Sequence, residues 1–301
     1  MPEVRRIRAV NLSLTLTGVN DLGQGKAAAR WTPLHTRFFL AADTAPPYVR
    51  GVLNLSDPRR APPREPVFNI PGVVALLALV MAAIAFAREF LLDEQSNVML
   101  LAYFAFIPAR YDAAFALPGG LGADIWTFVS YAFLHANLVH LGVNLIWMLA
   151  FATPVARRFG TARFLAFVVV TAAAGALAHL VAYPDAMVPM IGASAVVSGA
   201  MAAAVRFAFS PGGALGRPVR GAPEHPPAAS LFGAFREPRV LTFVAVWVVV
   251  NFLFGAAITL PGTEGAEVAW QAHMGGFFAG LLLFPLFDPI PRAAVPSHPP
   301  R

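Results

Sequence analysis

Two side chains in this sequence have the chemistry of a nucleophile and its base. Ser194 lies in the string IGASAVVSGAM, where it follows Gly192 at the start of an apolar segment. His273 lies in a second apolar segment, in the string AWQAHMGGFFAG. A serine hydroxyl is a weak nucleophile until a neighbouring base takes its proton, and a neutral imidazole suits that task. The pair indicates acyl-transfer chemistry, provided that the fold brings the two segments together.

Ser194 also lies where backbone groups can assist such a reaction. A serine just inside the N-terminus of a helix is close to N–H groups that have no partner within the helix, and these can stabilise an oxyanion. The segment is also rich in Gly, Ala and Ser, which is typical of close packing between membrane helices. Packing therefore competes with nucleophilic attack as the explanation of Ser194, and it is the favoured explanation of Ser198.

A third polar string, HANLVHLGVN, carries His135, His140 and Asn144. On a helix with about 100° per residue, His140 and Asn144 lie one turn apart on one face and can aim donors at one point. His135 points away from Asn144, so the three do not converge on one site of a straight helix. A hydrogen bond between helices is the alternative explanation for each of them.

A GxxxG spacing after His273 indicates how the segments meet. Gly276 and Gly280 allow a neighbouring backbone to approach closely, and the Gly/Ala-rich segment of Ser194 is the natural partner. This approach would bring His273 towards Ser194. From the HANLVHLGVN segment onward, no acidic residue lies within the apolar segments at a depth that could orient His273. The sequence therefore permits a Ser–His dyad without a carboxylate.

The composition indicates which elements must position these residues. Of the 301 residues, 57% are hydrophobic and only 13% are charged, whereas an average soluble domain has about 25% charged residues. This apolar excess predicts an all-α membrane protein and argues against a disordered chain, a coiled coil or a disulfide scaffold. Cysteine is absent, which excludes a thiol nucleophile. The net charge of +6 is better explained by membrane topology than by nucleic-acid binding.

Six apolar segments approach the roughly 20 residues that a helix needs to cross the hydrocarbon core. Before them, residues 1–69 are rich in Pro, Lys and Arg, which predicts a largely flexible cytosolic extension. The predicted core is 70–287, followed by a short cytosolic tail over 288–301. The predicted spans are 70–92, 136–155, 164–183, 192–209, 240–258 and 268–287.

The charges support this count. If both termini are cytosolic, the inner segments contain 20 of the 22 Lys and Arg residues, and only Arg88 and Arg110 fall on the outer side. The acidic residues divide evenly, with eight on each side. A bias confined to Lys and Arg is what the positive-inside rule requires. The sequence therefore predicts six spans with the N- and C-termini inside.

Over about 70–287, the three strings and the six-span frame resemble the rhomboid family of intramembrane serine proteases. The resemblance implies a compact six-helix bundle with a short fourth helix at the bottom of a water-filled cavity. It also implies a function, endopeptidase cleavage of transmembrane segments in membrane-protein substrates. By position, Ser194 would be the nucleophile and His273 the general base and acid. His140 and Asn144 would donate to the oxyanion, together with the Ser194 backbone N–H.

The resemblance also assigns supporting roles, and the sequence departs from the family pattern twice. His135 matches a histidine that orders the interfacial connection, roughly 93–135, and Gly192 matches the glycine before the nucleophile. The residue after the serine is Ala195 where the family commonly has Gly. Trp126 is followed by Thr127 where the family commonly has Arg. The second change predicts a different anchoring of the connection, and neither change removes a catalytic group.

The resemblance implies that substrates enter laterally from the lipid bilayer, between the second and fifth spans, with Phe252 and Phe254 as gate residues. It implies no cofactor or metal, no nucleic-acid partner, and a bacterial-type inner (plasma) membrane; the oligomeric state is left open. The alternatives are a catalytically inactive rhomboid-like chaperone or binding protein, a transporter, and a metal site built on the three histidines. Packing or hydrogen-bonding roles are expected for His179, Asn251 and Gln271.

Overall fold

The computed structural model describes residues 70–115, 117–219, 225–256 and 268–290. Over these residues the regular structure is helical, with nine α-helices and no strand, as the sequence predicts. The predicted extension 1–69, and the tail 288–301 beyond residue 290, lie outside the described residues. The helices are α1 (Gly72–Phe90), α2 (Glu94–Phe104), α3 (Gly120–Ser130), α4 (Leu138–Phe159), α5 (Thr161–Ala182), α6 (Ser194–Val205), α7 (Leu231–Phe235), α8 (Pro238–Ala256) and α9 (Trp270–Phe287).

Each of the six predicted apolar segments overlaps one helix, and α4, α5 and α8 extend two to four residues beyond the predicted bounds. Three of these helices, α1, α4 and α5, are long and apolar enough to cross a membrane. Two further apolar stretches, Ser194–Val205 and Pro238–Leu253, are shorter. The helical content of the prediction is confirmed for the described residues. The number of spans, their orientation and the outer boundaries of the core remain predictions.

The short helix α6 lies at the centre of the bundle, and every residue after Ser194 in it is buried. Helix α9 packs along it through two glycines. A Cβ atom at Gly276 would overlap the carbonyl group of Ala195, and one at Gly280 would overlap that of Gly199. On the side of α5, a Cβ atom at Gly175 would lie 2.5 Å from the Cβ of Ala195. Small residues therefore allow α5 and α9 to approach α6 to backbone contact.

Arg88 and Arg110, the two basic residues that the sequence predicts on the outer side, hydrogen-bond to the connection between α1 and α4. Arg88 donates from Nη1 to the His135 carbonyl at 2.6 Å and from Nε to Asn97 Oδ1 at 2.8 Å. Arg110 is buried and donates to the carbonyls of Pro118 and Ala102. Both guanidinium groups satisfy backbone oxygens of the connection, which gives their position a structural reason.

Trp126 and Thr127 each donate a hydrogen bond to a backbone carbonyl of the same connection. The Trp126 indole N–H donates to the Tyr103 carbonyl at 2.8 Å. Thr127 is buried and donates to the Ala123 carbonyl one turn earlier at 2.6 Å. Thr127 is uncharged, and its hydroxyl also lies 3.4 Å from the Tyr111 hydroxyl.

At the opposite end of the bundle, a buried ion pair ties α4 to the residue that follows α9. Arg158 contacts both oxygens of Asp288, at 2.9 Å from Nε and 3.0 Å from Nη2, and its Nη1 donates to the Pro226 carbonyl at 2.8 Å. The guanidinium carbon also lies 4.7 Å from the centre of the Phe207 ring. These bonds compensate the charge of the buried pair.

Candidate active site

Ser194 is the first residue of α6, and the chain enters this helix through a glycine that no other residue replaces without strain. Gly192 has φ +123°, in the region that L side chains rarely adopt. Its N–H donates to the Tyr131 carbonyl at 3.0 Å. A Cβ atom there would lie 2.8 Å from Cε1 and 2.9 Å from Nε2 of His140, and 3.8 Å from the Ser194 hydroxyl oxygen. The His140 ring and the Ser194 hydroxyl therefore border the same small space.

The hydrogen bonds of His140 indicate which ring nitrogen carries its proton. The Ala136 N–H donates to His140 Nδ1 at 3.3 Å, so Nδ1 acts as an acceptor. A neutral imidazole has one donor and one acceptor nitrogen. Nε2 is then the N–H group, and Nε2 is the nitrogen beside Gly192 and Ser194. His140 thus presents a donor to the space beside the serine hydroxyl.

Asn144 lies one turn further along α4 and is 4% exposed. Its Nδ2 donates to the His140 carbonyl at 2.9 Å. An amide NH₂ group has two hydrogens, so this bond uses one and leaves the second for another acceptor. His140 and Asn144 thus lie one turn apart on the same helix, as predicted. One of the two amide hydrogens of Asn144 is used for a hydrogen bond within that helix.

His135 lies in a different setting from the one that a straight helix would give it. Helix α4 begins at Leu138 because the Asn137 side chain caps it by accepting from the His140 N–H at 2.8 Å. His135 therefore lies before the helix, and its ring packs against the His140 ring, with centroids 5.2 Å apart and planes 67° apart. The ring is 3% exposed. The supporting role of His135 stays a prediction.

The turn of α9 that carries His273 packs against the residue after Ser194 through the glycine contact described above. It lies one turn before Gly276, and Gly276 meets Ala195, the neighbour of the serine. On its other side, His273 Nδ1 lies 2.6 Å from the Oδ1 of Asn251 on α8. The sequence indicates a hydrogen bond between helices for Asn251 but no partner. The contact with His273 is the feature of the site that sequence reasoning missed.

Gln271 and His179 have contacts with Tyr183. Gln271 donates to the Tyr183 hydroxyl at 3.0 Å, and the His179 ring packs against the Tyr183 ring, with centroids 5.6 Å apart. Of the two predicted gate residues, Phe252 is 57% exposed on α8, with its ring centre 6.4 Å from that of Trp270. The side chain of Phe254 lies outside the described residues.

Residues 122–288 match the family model described as Rhomboid domain. Rhomboid-like protease 3 of Toxoplasma gondii is 25% identical over 214 residues, which is 70% of this chain and 65% of that protein. Rhomboid-related protein 3 of Homo sapiens is 35% identical over 74 residues, 25% of this chain and 18% of the relative. Rhomboid protease GlpG of Yersinia enterocolitica is 41% identical over 49 residues, 16% of this chain and 18% of the relative. The chain thus covers less than two thirds of the length of each of these relatives.

Proposed function

Since its Rhomboid-domain match extends over more than half of the sequence, this chain belongs to the rhomboid family, and we propose that it is an intramembrane serine endopeptidase. Family membership and the apolar helices make it an integral membrane protein. The observation that carries the proposal is the position of Ser194. Ser194 is the first residue of α6, and its hydroxyl borders the same small space as His140 Nε2. The contact of Gly276 with Ala195 supports the proposal because it packs the turn of α9 that carries His273 against the residue after Ser194.

The proposed reaction is the hydrolysis of a peptide bond through an acyl-enzyme. His273 Nε2 takes the proton of the Ser194 hydroxyl, and the oxygen attacks the scissile carbonyl carbon. The oxyanion accepts from His140 Nε2–H, from the free hydrogen of the Asn144 amide and from the Ser194 backbone N–H, each good donor lowering the barrier by about 3–4 kcal/mol. His273 then protonates the leaving amine, and water releases the acyl group.

The proposed substrates are transmembrane segments of other membrane proteins. A transmembrane helix satisfies its own backbone carbonyls, so a short stretch must unwind before Ser194 can attack. Lateral access between α4 and α8 fits the aromatic contacts of these helices. The rings of Phe151 and Phe243 lie 5.8 Å apart in the half remote from Ser194, whereas Phe252, nearer the serine, is exposed. The proposed setting is a bacterial-type inner membrane with both termini in the cytoplasm.

Covalent labelling tests the assignment of the nucleophile. The full chain in membranes is treated with a fluorophosphonate, and the modified residue is identified by mass spectrometry of peptides. We expect the phosphonyl group on Ser194, and we expect His273→Ala to remove the labelling because the hydroxyl then lacks its base. Equal labelling of the His273→Ala variant, or a label on another serine, contradicts the proposed dyad.

Gly192→Ala is expected to slow cleavage of a reporter with one transmembrane segment by about 10- to 100-fold. The added Cβ pushes the His140 ring out of place, and a displacement of about 1 Å in a catalytic group can cost about 100-fold in rate. Cleavage rate and thermal unfolding are measured together. Gly160→Ala is the matched control, since Gly160 has φ +75° but a Cβ atom added there would meet nothing within 4 Å. If Gly160→Ala slows cleavage equally, backbone strain and not His140 explains the loss.

A further inference from the structure

The contact between Asn251 and His273 has a direction that the surrounding bonds determine. Asn251 Nδ2 donates to the Trp247 carbonyl one turn earlier on α8, at 2.8 Å. An amide nitrogen donates and an amide oxygen only accepts, so the nitrogen must face Trp247. The oxygen Oδ1 then faces His273 Nδ1, at 2.6 Å. The reversed amide would place an acceptor against the Trp247 carbonyl.

This orientation determines the tautomer of His273. Because Oδ1 can only accept, the Nδ1 atom that faces it must be the N–H donor. A neutral imidazole carries one such hydrogen, which leaves Nε2 with a free electron pair. The proposed function requires a free pair on Nε2, since that nitrogen takes the proton of the Ser194 hydroxyl. His273 and His140 thus carry opposite tautomers, one suited to a base and the other to a donor.

The packing around Asn251 keeps its amide in place. Asn251 is 9% exposed, so water competes little for its oxygen. The Trp247 ring, one turn earlier, stacks on the Phe277 ring of α9 with centroids 4.2 Å apart and planes 19° apart. Phe277 lies one turn after His273. The stacked rings therefore hold α8 against α9 directly beside the hydrogen bond.

We propose that Asn251 is a positioning residue for His273: its amide oxygen accepts from Nδ1–H, orients the ring and keeps Nε2 unprotonated for Ser194. This inference rests on the proposed function, in which His273 is the base. A carboxylate is the usual third group of a serine-hydrolase triad. Here the amide of a residue on α8 orients the ring.

Two variants of Asn251 separate this role from general stability. Both Asn251→Leu and Asn251→Asp remove the donation to the Trp247 carbonyl, because neither new side chain is a donor when the aspartate is ionised. Only Asn251→Leu also removes the acceptor for His273. With the full chain in liposomes, we expect Asn251→Leu to lower kcat for the transmembrane reporter by about 10- to 100-fold with KM changed by less than about twofold. Asn251→Asp is expected to retain a kcat at least about fivefold above that of Asn251→Leu.

The control is Thr242→Val on the same helix. Thr242 also donates to a carbonyl four residues earlier, that of Pro238, at 3.0 Å, and it has no contact with a histidine among the described residues. We expect this variant to cleave at the rate of the original chain. If Asn251→Leu keeps its kcat, or if Asn251→Asp loses as much as Asn251→Leu, the positioning role is wrong.

The tautomer is measured independently of activity. Chain labelled with ¹⁵N at its histidines gives imidazole nitrogen resonances in NMR spectra of proteoliposomes, and the signals lost in His273→Ala belong to His273. We expect a protonated Nδ1 and an unprotonated Nε2 in the original chain, and a mixture of the two tautomers in Asn251→Leu. An unprotonated Nδ1 in the original chain overturns the inference. A chain that shows the expected tautomer but cleaves no reporter overturns the proposed function instead.

Discussion

Ser194→Ala is expected to reduce cleavage of a transmembrane reporter to the rate measured without the protein. The hydroxyl is the group that forms the acyl-enzyme, and no other side chain at the start of α6 can replace it. Removing the nucleophile of a serine hydrolase lowers kcat by about 10⁶-fold, so the variant falls below detection. The measurement is the appearance of the cleaved reporter fragment in liposomes that contain the full chain.

Ser198→Ala is the matched control for that experiment. Ser198 lies one turn later on the same helix and is 4% exposed, so the substitution also removes one hydroxyl from α6. We expect its cleavage rate to stay within about threefold of the original, because its side chain takes no part in the proposed reaction. Unchanged cleavage by Ser194→Ala would show that Ser194 is not the nucleophile.

Gly276→Ala is expected to destabilise the bundle and to abolish cleavage together. The added methyl group overlaps the carbonyl group of Ala195, whose carbonyl carbon would lie only 2.7 Å away. This neighbour is backbone, and α6 is packed on several sides by α4, α5 and α9, so it has little room to move. Overpacking in a core costs about 1–3 kcal/mol and more where backbone must shift. The same shift separates His273 from Ser194.

The measurement for Gly276→Ala combines the midpoint of thermal unfolding with cleavage of the reporter. Gly142→Ala is the control, because a Cβ atom at Gly142 on α4 meets nothing within 4 Å and alanine favours a helix over glycine by about 1 kcal/mol. We expect this control to unfold at or above the original temperature and to cleave normally. If Gly276→Ala unfolds at the same temperature as the original chain, the stability of the bundle does not depend on close contact between α9 and α6.

Local properties of the sequence are enough to predict the helices and to select the candidate groups of the site. Helices α4 and α5 follow from apolar stretches, and polar groups inside such stretches are costly enough to indicate function. Ser194, His140 and His273 were found in this way. The order of their motifs also led to the rhomboid family, and the family match over residues 122–288 confirms that assignment.

The setting of His135 differs from the one assumed from the sequence. The helical angle places its ring away from Asn144 only if His135 lies within the helix. The Asn137 cap starts α4 only at Leu138, so His135 packs on His140 instead. The direction that the chain takes before the cap depends on contacts with α1, where Arg88 binds the His135 carbonyl.

The sequence by itself determined which segments are helical and which residues are candidates for the chemistry, since hydrophobic length and the cost of burying polar groups are properties of each segment alone. Only the tertiary structure decided the pairing of Asn251 with His273, which lie 22 residues apart on different helices. That pairing depends on how closely the backbones pack, through Gly276 against Ala195 and the Trp247–Phe277 stack. Such contacts set the direction of each hydrogen bond, and with it the nitrogen of His273 that is free to act as a base.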